Sequence, residues 1–236
     1  MNRSSAQRNI ESLSLIAHRL GDLCDEVTFV GGCITGLLIT DKAAPDVRFT
    51  VDVDCIVNVI TRPSYYSMAE KLRQKGFKEL ISGDHPICRW DCYGILIDVM
   101  PIDKSVLGFS NKWYKDAQEN SIKHSIADNV NIKVISAPYF LATKLEAFKD
   151  RGKQDFLLSH DLEDIISVID GRPEIASDVL VVSDNLKQYL SSEFALLMSN
   201  DQFLQALPGH LNYSLESESR KKIVESRINT IIDVVK

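Results

Sequence analysis

Two acidic residues alternate with valine in one short stretch of the chain, Thr50-Val51-Asp52-Val53-Asp54. The alternation indicates a β-strand, in which successive side chains point to opposite faces, so Asp52 and Asp54 share a face. Two neighbouring carboxylates repel each other unless a cation lies between them. A divalent-metal site is therefore one interpretation of the pattern. A half-buried strand with one solvated polar face is the other.

A third aspartate favours the metal site. Asp98 interrupts an otherwise apolar strand, Ile95-Leu96-Ile97-Asp98-Val99-Met100. An ionised carboxylate buried without a partner is costly, so Asp98 needs a cation or a hydrogen-bonding group beside it. Three aspartates from two neighbouring strands would form a site of hard oxygen ligands. Such a site suits Mg²⁺ better than zinc.

The composition is that of an ordinary globular protein. The chain has 236 residues, of which 44% are hydrophobic and 25% charged, and its net charge of -6 provides no general attraction for nucleic acid. No apolar run is long enough to span a membrane, and the first residues lack the apolar core of a signal peptide. Five cysteines without a Cys-x-x-Cys pair are typical of core thiols in a reducing compartment. We therefore expect a cytoplasmic protein without a membrane partner.

The elements that must position the aspartates lie in the first part of the chain. We predict an α/β (α+β) domain over residues 1–136, with a small mixed sheet flanked by helices, and a helical domain over 137–236. The predicted strands are 26–30, 48–59, 87–91, 94–99 and 132–135. The predicted helices are 5–23, 32–38, 63–76, 138–150, 159–169, 173–196, 200–206 and 215–235.

A second group of charged residues lies on the predicted helices of the second domain. Lys144, Ala147 and Arg151 are spaced three and four residues apart and so lie along one helix face. That face has two interpretations: it binds a triphosphate, or it is a solvated charged surface. Asp161 and Asp164 are three apart on the next helix, where both can turn inward to pair with Arg151 or to orient Lys144.

In order, these motifs resemble the polymerase-β-like nucleotidyltransferases. The motifs are Gly31-Gly32, Thr50-x-Asp52-x-Asp54 and Asp98. The later Lys144-x-x-Ala147-x-x-x-Arg151 and Asp161-Leu-Glu-Asp164 look like the AbiEii/MenT-like branch, whose members are mostly toxins of bacterial toxin–antitoxin and phage-defence systems. The resemblance covers about residues 28–170. Cys33 departs from it, because a serine or threonine is more usual after the glycines.

The resemblance implies a two-metal mechanism for transferring a nucleoside monophosphate from an NTP. Asp52 and Asp54 would hold the nucleotide-bound Mg²⁺, and together with Asp98 they would hold a second, catalytic Mg²⁺. Asp98 is also the expected acceptor of the proton from the attacking hydroxyl. Thr50 precedes the acidic pair and would steady Asp52 by a hydrogen bond, although its β-branched side chain equally suits a strand.

The resemblance also implies which residues bind the triphosphate. Gly31 and Gly32 would let the backbone approach the phosphates, and the following helix N-terminus would donate amide hydrogen bonds. Lys144 and Arg151 would neutralise the departing phosphates. Asp161 would support these cations.

Three functions stay open at this point. A toxin-like enzyme would modify the end of a tRNA or a protein side chain and would have a cognate antitoxin. An enzyme of the same class would instead modify a small molecule, as antibiotic nucleotidyltransferases do. A degenerate relative would bind a nucleotide or a partner without catalysis, and the presence of all three carboxylates argues against it.

Overall fold

The computed structural model describes residues 3–80, 86–127, 130–151, 155–211 and 217–235. By their internal contacts these residues divide into two compact units. Unit 1 comprises Met1–Ile34 and Arg48–Ser136, and unit 2 comprises Thr35–Val47 and Ala137–Lys236. The domains predicted from the sequence, 1–136 and 137–236, place residues 35–47 in the first domain, whereas here they lie in unit 2.

One mixed sheet forms the centre of unit 1. Among the described residues it has seven strands, in the order β3-β4-β5-β2-β1-β7-β6. The strands are β1 (Val27–Val30), β2 (Asp52–Val57), β3 (Lys78–Glu79), β4 (Arg89–Cys92), β5 (Ile95–Pro101), β6 (Ile122–Ala127) and β7 (Val130–Val134). The central strand β2 pairs parallel with β5 and antiparallel with β1.

The helices of unit 1 have apolar faces and recognisable caps. They are α1 (Ser5–Leu20), α3 (Arg62–Gln74), α4 (Lys104–Leu107) and α5 (Tyr114–Glu119). Ser4 caps α1 by accepting a hydrogen bond from the amide of Gln7, and Thr61 caps α3 in the same way. Leu13, Ile16 and Leu20 of α1 are fully buried, so this helix contributes directly to the core.

Unit 2 is helical in its described residues. Its helices are α2 (Thr35–Leu38), α6 (Ala137–Arg151), α7 (His160–Gly171), α8 (Ile175–Leu180), α9 (Asp184–Met198), α10 (Asp201–Ala206) and α11 (Ser217–Asp233). Its core consists of apolar side chains from several helices, among them Phe140, Ile165, Leu190, Phe194 and Ile228. Burial of these side chains supplies most of the stability of such a helical unit.

The predicted fold class is confirmed: a mixed sheet with helices precedes a helical C-terminal part. Several details differ, and the short elements β3, α4 and α5 were not predicted. Strand β2 begins at Asp52 rather than at residue 48, and the predicted helix 173–196 is two helices, with Ser183 preceding the second. The edge strand β6 was missed, because polar residues such as Lys123, His124 and Ser125 obscure its pattern.

None of the helices in the described residues has the length and hydropathy that crossing a membrane would require.

Candidate active site

The three predicted aspartates lie on one face of two adjacent strands. Asp54 of β2 is paired in register with Asp98 of β5, and residues paired in this way point to the same side of a sheet. Asp52 precedes Asp54 by two positions and shares its face. The opposite face is apolar core, where Val53 and Val99 are each 1% exposed. The strand period predicted from the sequence thus brings these carboxylates to one surface of unit 1.

Gly31 lies directly against the carboxylate of Asp54. Its φ angle is 73°, in the left-handed region that favours glycine. A Cβ atom added at Gly31 would lie 2.0 Å from Oδ2 of Asp54, a separation that no side chain tolerates. Gly31 therefore has two reasons to be glycine, and one of them is the position of a predicted metal ligand.

An arginine that the sequence analysis did not single out completes the cluster. Arg89 of β4 is paired in register with Asp98, so its side chain lies on the aspartate face. Its Nε and Nη2 atoms donate to the two carboxylate oxygens of Asp98, each at 2.8 Å. Nη2 also donates to Oδ2 of Asp52 at 2.8 Å. One guanidinium thus joins two of the three predicted metal ligands.

Burial makes this ion pair stronger than a surface pair. The side chain of Asp98 is 10% exposed and that of Arg89 is 18% exposed. The hydrogen bond from Arg89 to Asp98 raises the pKa of the arginine further above its ordinary value, against the opposing effect of burial. Arg89 is therefore protonated and positively charged at any physiological pH.

The donor chemistry of the cluster fits Mg²⁺. Carboxylate oxygens are the ligands that this hard cation prefers, and three aspartates supply them from one sheet face. Within the described residues, however, no three His, Cys, Asp or Glu side chains are arranged as a group that could hold a metal ion. The oxygens of Asp52 and Asp98 instead accept hydrogen bonds from the guanidinium of Arg89.

The cysteines near the cluster do not supply a nucleophile. Burial raises the pKa of Cys88 to about 12, and the charge of Asp98 adds to this effect. Cys55 of β2 is completely buried, and this burial raises the pKa of its thiol well above its ordinary value. Both thiols are protonated at neutral pH and act as small core side chains, as the sequence indicated.

Thr50 has a different partner from the one predicted. It lies before the start of β2, and both its amide and its hydroxyl donate to Oδ1 of Asn9 in α1, at 3.1 and 3.4 Å. Its one hydroxyl proton is thus directed at Asn9 rather than at Asp52. Thr50 thus connects the segment before β2 to α1. Its hydrogen bond to Asn9 takes the place of the one that was predicted to Asp52.

The residues after Gly31 form a short helical turn. Gly32 begins a 3₁₀ helix, Gly32–Ile34, that continues into α2. The thiol of Cys33 donates to the carbonyl oxygen of Val30 at 3.3 Å. This bond directs the thiol back towards its own strand.

In unit 2, the predicted phosphate-binding cations are paired with aspartates of the next helix. Nζ of Lys144 lies 2.6 Å from Asp164 and 3.1 Å from Asp161. Arg151 donates to both oxygens of Asp161, at 3.0 and 2.9 Å. Lys144, Asp161 and Asp164 are each at most 5% exposed. The structure thus brings together Lys144, Arg151 and Asp161, and it adds Asp164, which the sequence analysis had weighed without placing it in the site.

These ion pairs decide the charge state of Asp161. Burial acts to raise its pKa, but the hydrogen bond from Arg151 and the charge of Lys144 outweigh burial, so the pKa of Asp161 is lowered. The carboxylate is ionised at neutral pH and holds both cations in place. The cluster is therefore an internal ion network that joins α6 to α7.

Comparison with known proteins adds little to this geometry. No family model matches the sequence, and no curated protein is similar to it. Among solved structures, the chain is similar to JHP933 from Helicobacter pylori, a crystal structure. The sequence identity is 13% and the TM-score is 0.48, with 96% of this chain and 92% of that chain covered. A likeness at this level identifies neither a family nor a function.

Proposed function

We propose that this protein is a Mg²⁺-dependent nucleotidyltransferase of the polymerase-β-like type, which transfers a nucleoside monophosphate from an NTP to an acceptor hydroxyl. The observation that carries the proposal is the alignment of Asp52, Asp54 and Asp98 on one sheet face, with Gly31 against Asp54. Carboxylates gathered at one surface in this way suit chemistry on a phosphorylated, metal-bound substrate.

In the proposed reaction, the acceptor oxygen attacks the α-phosphorus of the NTP. A new oxygen–phosphorus bond forms, the bond from the α-phosphorus to the bridging oxygen breaks, and pyrophosphate leaves. Mg²⁺ held by the aspartates would supply the positive charge that phosphoryl transfer needs at the phosphate oxygens. The protein's own contribution is to hold the carboxylates in register and to accept the proton of the hydroxyl.

Asp98 is the residue best placed to accept that proton. Each of its two carboxylate oxygens has two lone pairs, so Asp98 has acceptor capacity both for a metal ion and for the proton of the hydroxyl. Its side chain is only 10% exposed, which keeps water from competing for the same oxygens. Asp52 and Asp54, on the same face, would act as metal ligands without taking the proton.

The acceptor and the biological role follow from the resemblance to the AbiEii/MenT-like branch. We propose a toxin-like enzyme of the cytoplasm, with a tRNA end or a protein side chain as acceptor and with a cognate antitoxin. In this proposal Lys144 and Arg151 supply positive charge for the triphosphate. Because both cations are paired with Asp161 in the structure, the triphosphate would have to compete with that carboxylate for them.

The test is incorporation of label from NTPs. The purified protein is incubated with Mg²⁺, each α-³²P-labelled NTP in turn, and total bacterial RNA, beside the variants Asp52→Asn and Asp98→Asn. We expect label in a tRNA-sized or protein band, reduced about 100-fold or more in both variants. The control is Asp103→Asn, since Asp103 follows β5 and caps α4 by accepting from the amide of Ser105.

The destination of the label distinguishes the acceptors. Label in RNA or in protein names the macromolecular acceptor, and label found only after aminoglycosides or other small molecules are added identifies the small-molecule alternative. If no acceptor is labelled while all variants are folded by circular dichroism, the proposed transferase activity is wrong. A nucleotide-binding or partner-binding role then replaces it.

A further inference from the structure

Arg89 holds the position that a cation between the aspartates would need. Its three hydrogen bonds, each 2.8 Å long, go to Oδ1 and Oδ2 of Asp98 and to Oδ2 of Asp52. These are the oxygens that would coordinate a divalent cation in the proposed active site. A bidentate arginine–carboxylate pair is among the strongest hydrogen-bonded ion pairs in proteins. The guanidinium therefore stabilises the carboxylate cluster in the absence of any other cation.

A guanidinium and a metal ion cannot use these oxygens together. Mg²⁺ binds oxygen at about 2.0–2.1 Å and requires near-octahedral geometry, so an ion coordinated by Asp52 and Asp98 would lie in the space that Arg89 fills. The two positive charges would also repel each other, and most strongly where water is excluded. The side chain of Arg89 is 18% exposed and that of Asp98 is 10% exposed, so water does little to screen that repulsion.

A cavity beside Arg89 offers its guanidinium an alternative position. Arg89 lines this cavity of about 560 Å³ in unit 1, together with Arg62, Tyr65, Tyr66, Ile87 and Val106 among others. Arg89 is the first residue of the four-residue strand β4, so a rotation of its side chain need not disturb the centre of the sheet. The cavity thus gives the guanidinium an alternative position without unfolding.

We propose that Arg89 is a positioning residue that competes with the divalent cation for Asp52 and Asp98. The cation binds when the guanidinium has turned from the carboxylates towards the cavity. This inference rests on the proposed function, because it takes the aspartates to be metal ligands. It adds a residue that the motifs of the resemblance do not contain, and it gives that residue a role in setting the metal affinity.

The test measures metal binding directly. Binding of Mn²⁺ is followed by the electron paramagnetic resonance signal of the free ion and by calorimetry, for the wild-type protein and for Arg89→Gln. We expect Arg89→Gln to bind Mn²⁺ about tenfold more tightly, because the metal no longer displaces a guanidinium. The matched control is Lys115→Gln, which removes an exposed positive charge of α5 in unit 1 outside this cavity and should leave the affinity of the wild type unchanged.

Thermal unfolding gives a second measurement. Without metal, Arg89→Gln should have a lower Tm than the wild type, because the aspartates lose their internal counter-charge. Added Mn²⁺ should raise the Tm of Arg89→Gln by more than that of the wild type. If Arg89→Gln does not fold without metal, Arg89→Lys replaces it. This variant keeps the charge but loses the bidentate fork, and it should bind Mn²⁺ with an intermediate affinity.

The outcomes separate this inference from the proposed function. In one outcome the wild type binds Mn²⁺ and transfers nucleotides in an Asp52-dependent way, while folded Arg89→Gln or Arg89→Lys binds Mn²⁺ no more tightly. That result refutes the competition but supports the proposed transferase activity. If neither the wild type nor any Arg89 variant binds Mn²⁺, both the competition and the metal-dependent transferase are refuted.

Discussion

Gly31 is the residue whose replacement should most directly disturb the aspartate cluster. The change Gly31→Ala places a methyl group 2.0 Å from Oδ2 of Asp54 and also strains a backbone with φ of 73°. We expect the free energy of unfolding to fall by about 3 kcal/mol, since a backbone strain of about 1 kcal/mol is joined by a steric overlap. Urea unfolding followed by circular dichroism measures the loss.

Gly76→Ala is the matched control for this prediction. Gly76 also has a positive φ, of 88°, but an added Cβ there meets no atom within 4 Å. It should therefore cost only the backbone strain, about 1 kcal/mol. If Gly31→Ala and Gly76→Ala lower the free energy of unfolding equally, the contact with Asp54 does not contribute to the cost of Gly31→Ala. Loss of Mn²⁺ binding in Gly31→Ala alone would tie the contact to the position of the carboxylate.

At the same scale, the sequence predicted the aspartates but not their arginine partner. The period of two places Asp52 and Asp54 on one face without any knowledge of neighbouring strands. Arg89 depends on the register between β4 and β5, which the turn between them sets. The two turn residues are Tyr93 and Gly94, both with positive φ, and they pair Arg89 with Asp98.

A turn placed one residue earlier changes the partner of Arg89. The strand predicted before the turn ends at residue 91, which makes Cys92 and Tyr93 the turn residues. With that turn Asp91 would pair with Gly94, and Arg89 would pair with Leu96 rather than with Asp98. Arg89 would then lie on the aspartate face but displaced by two residues from Asp98. The missing signal was Gly94, because a two-residue turn of this type favours glycine at its second position.

At the scale of elements, helices α6 and α7 are joined through Asp161. Asp161→Asn should lower the free energy of unfolding by about 3 kcal/mol at pH 7, because it removes the carboxylate charge that Arg151 and buried Lys144 share. Glu163→Gln is the control, since Glu163 lies in the same first turn of α7 but pairs with exposed His160. Its loss should stay below about 1 kcal/mol.

The cost of Asp161→Asn should depend on pH in a defined direction. The folded-state pKa of Asp161 is lowered from its ordinary value of 3.8, so the ionised carboxylate stabilises the folded protein above that pH. This contribution is lost as the pH falls below 3.8 and through the lowered pKa. The difference between wild type and variant, measured by urea unfolding at several pH values, should therefore shrink below pH 3.8. A constant difference would contradict the ion network.

The helices of unit 2 were easier to predict than the strands of unit 1. The predicted helices 138–150 and 159–169 agree to within two residues at each end with α6 and α7, observed as Ala137–Arg151 and His160–Gly171. Apolar periodicity and the cap residue Ser159 are local signals, because they lie within the helical segment itself and do not depend on a distant partner. Strand β6 could not be found in this way, because an edge strand with polar side chains is defined by its pairing with β7.

At the scale of the whole molecule, the chain leaves unit 1 after Ile34 and returns to it at Arg48. The intervening residues are bound to the end of α7: the amides of Thr40 and Asp41 both donate to the carbonyl oxygen of Gly171 at 3.0 Å. Arg172 donates to the carbonyl oxygen of Leu38 at 2.9 Å. Local sequence patterns cannot show such an exchange, because every contact involved spans more than a hundred residues.

Residues 35–47 should therefore be needed for unit 2 to fold fully. We predict that residues 137–236 alone unfold at a lower urea concentration than the same residues fused, through a flexible linker of about 15 residues, to residues 35–47. The reason is that the bare fragment exposes the surface against which Leu38, 1% exposed in the structure, is buried. It also leaves the side chain of Arg172 and the carbonyl of Gly171 without these partners.

The control fusion carries Leu38→Ser and Ile39→Ser in the same linked segment. It keeps the length and the linker but removes the apolar side chains. Two Ile39 side-chain carbons lie 2.8 and 2.9 Å from the point where a Cβ atom would stand if one were added to Gly171. Urea unfolding followed by circular dichroism should rank the native fusion above both the control fusion and the bare fragment. If the bare fragment is as stable as the native fusion, residues 35–47 are peripheral to unit 2, and a boundary after residue 136 is enough to define the helical domain.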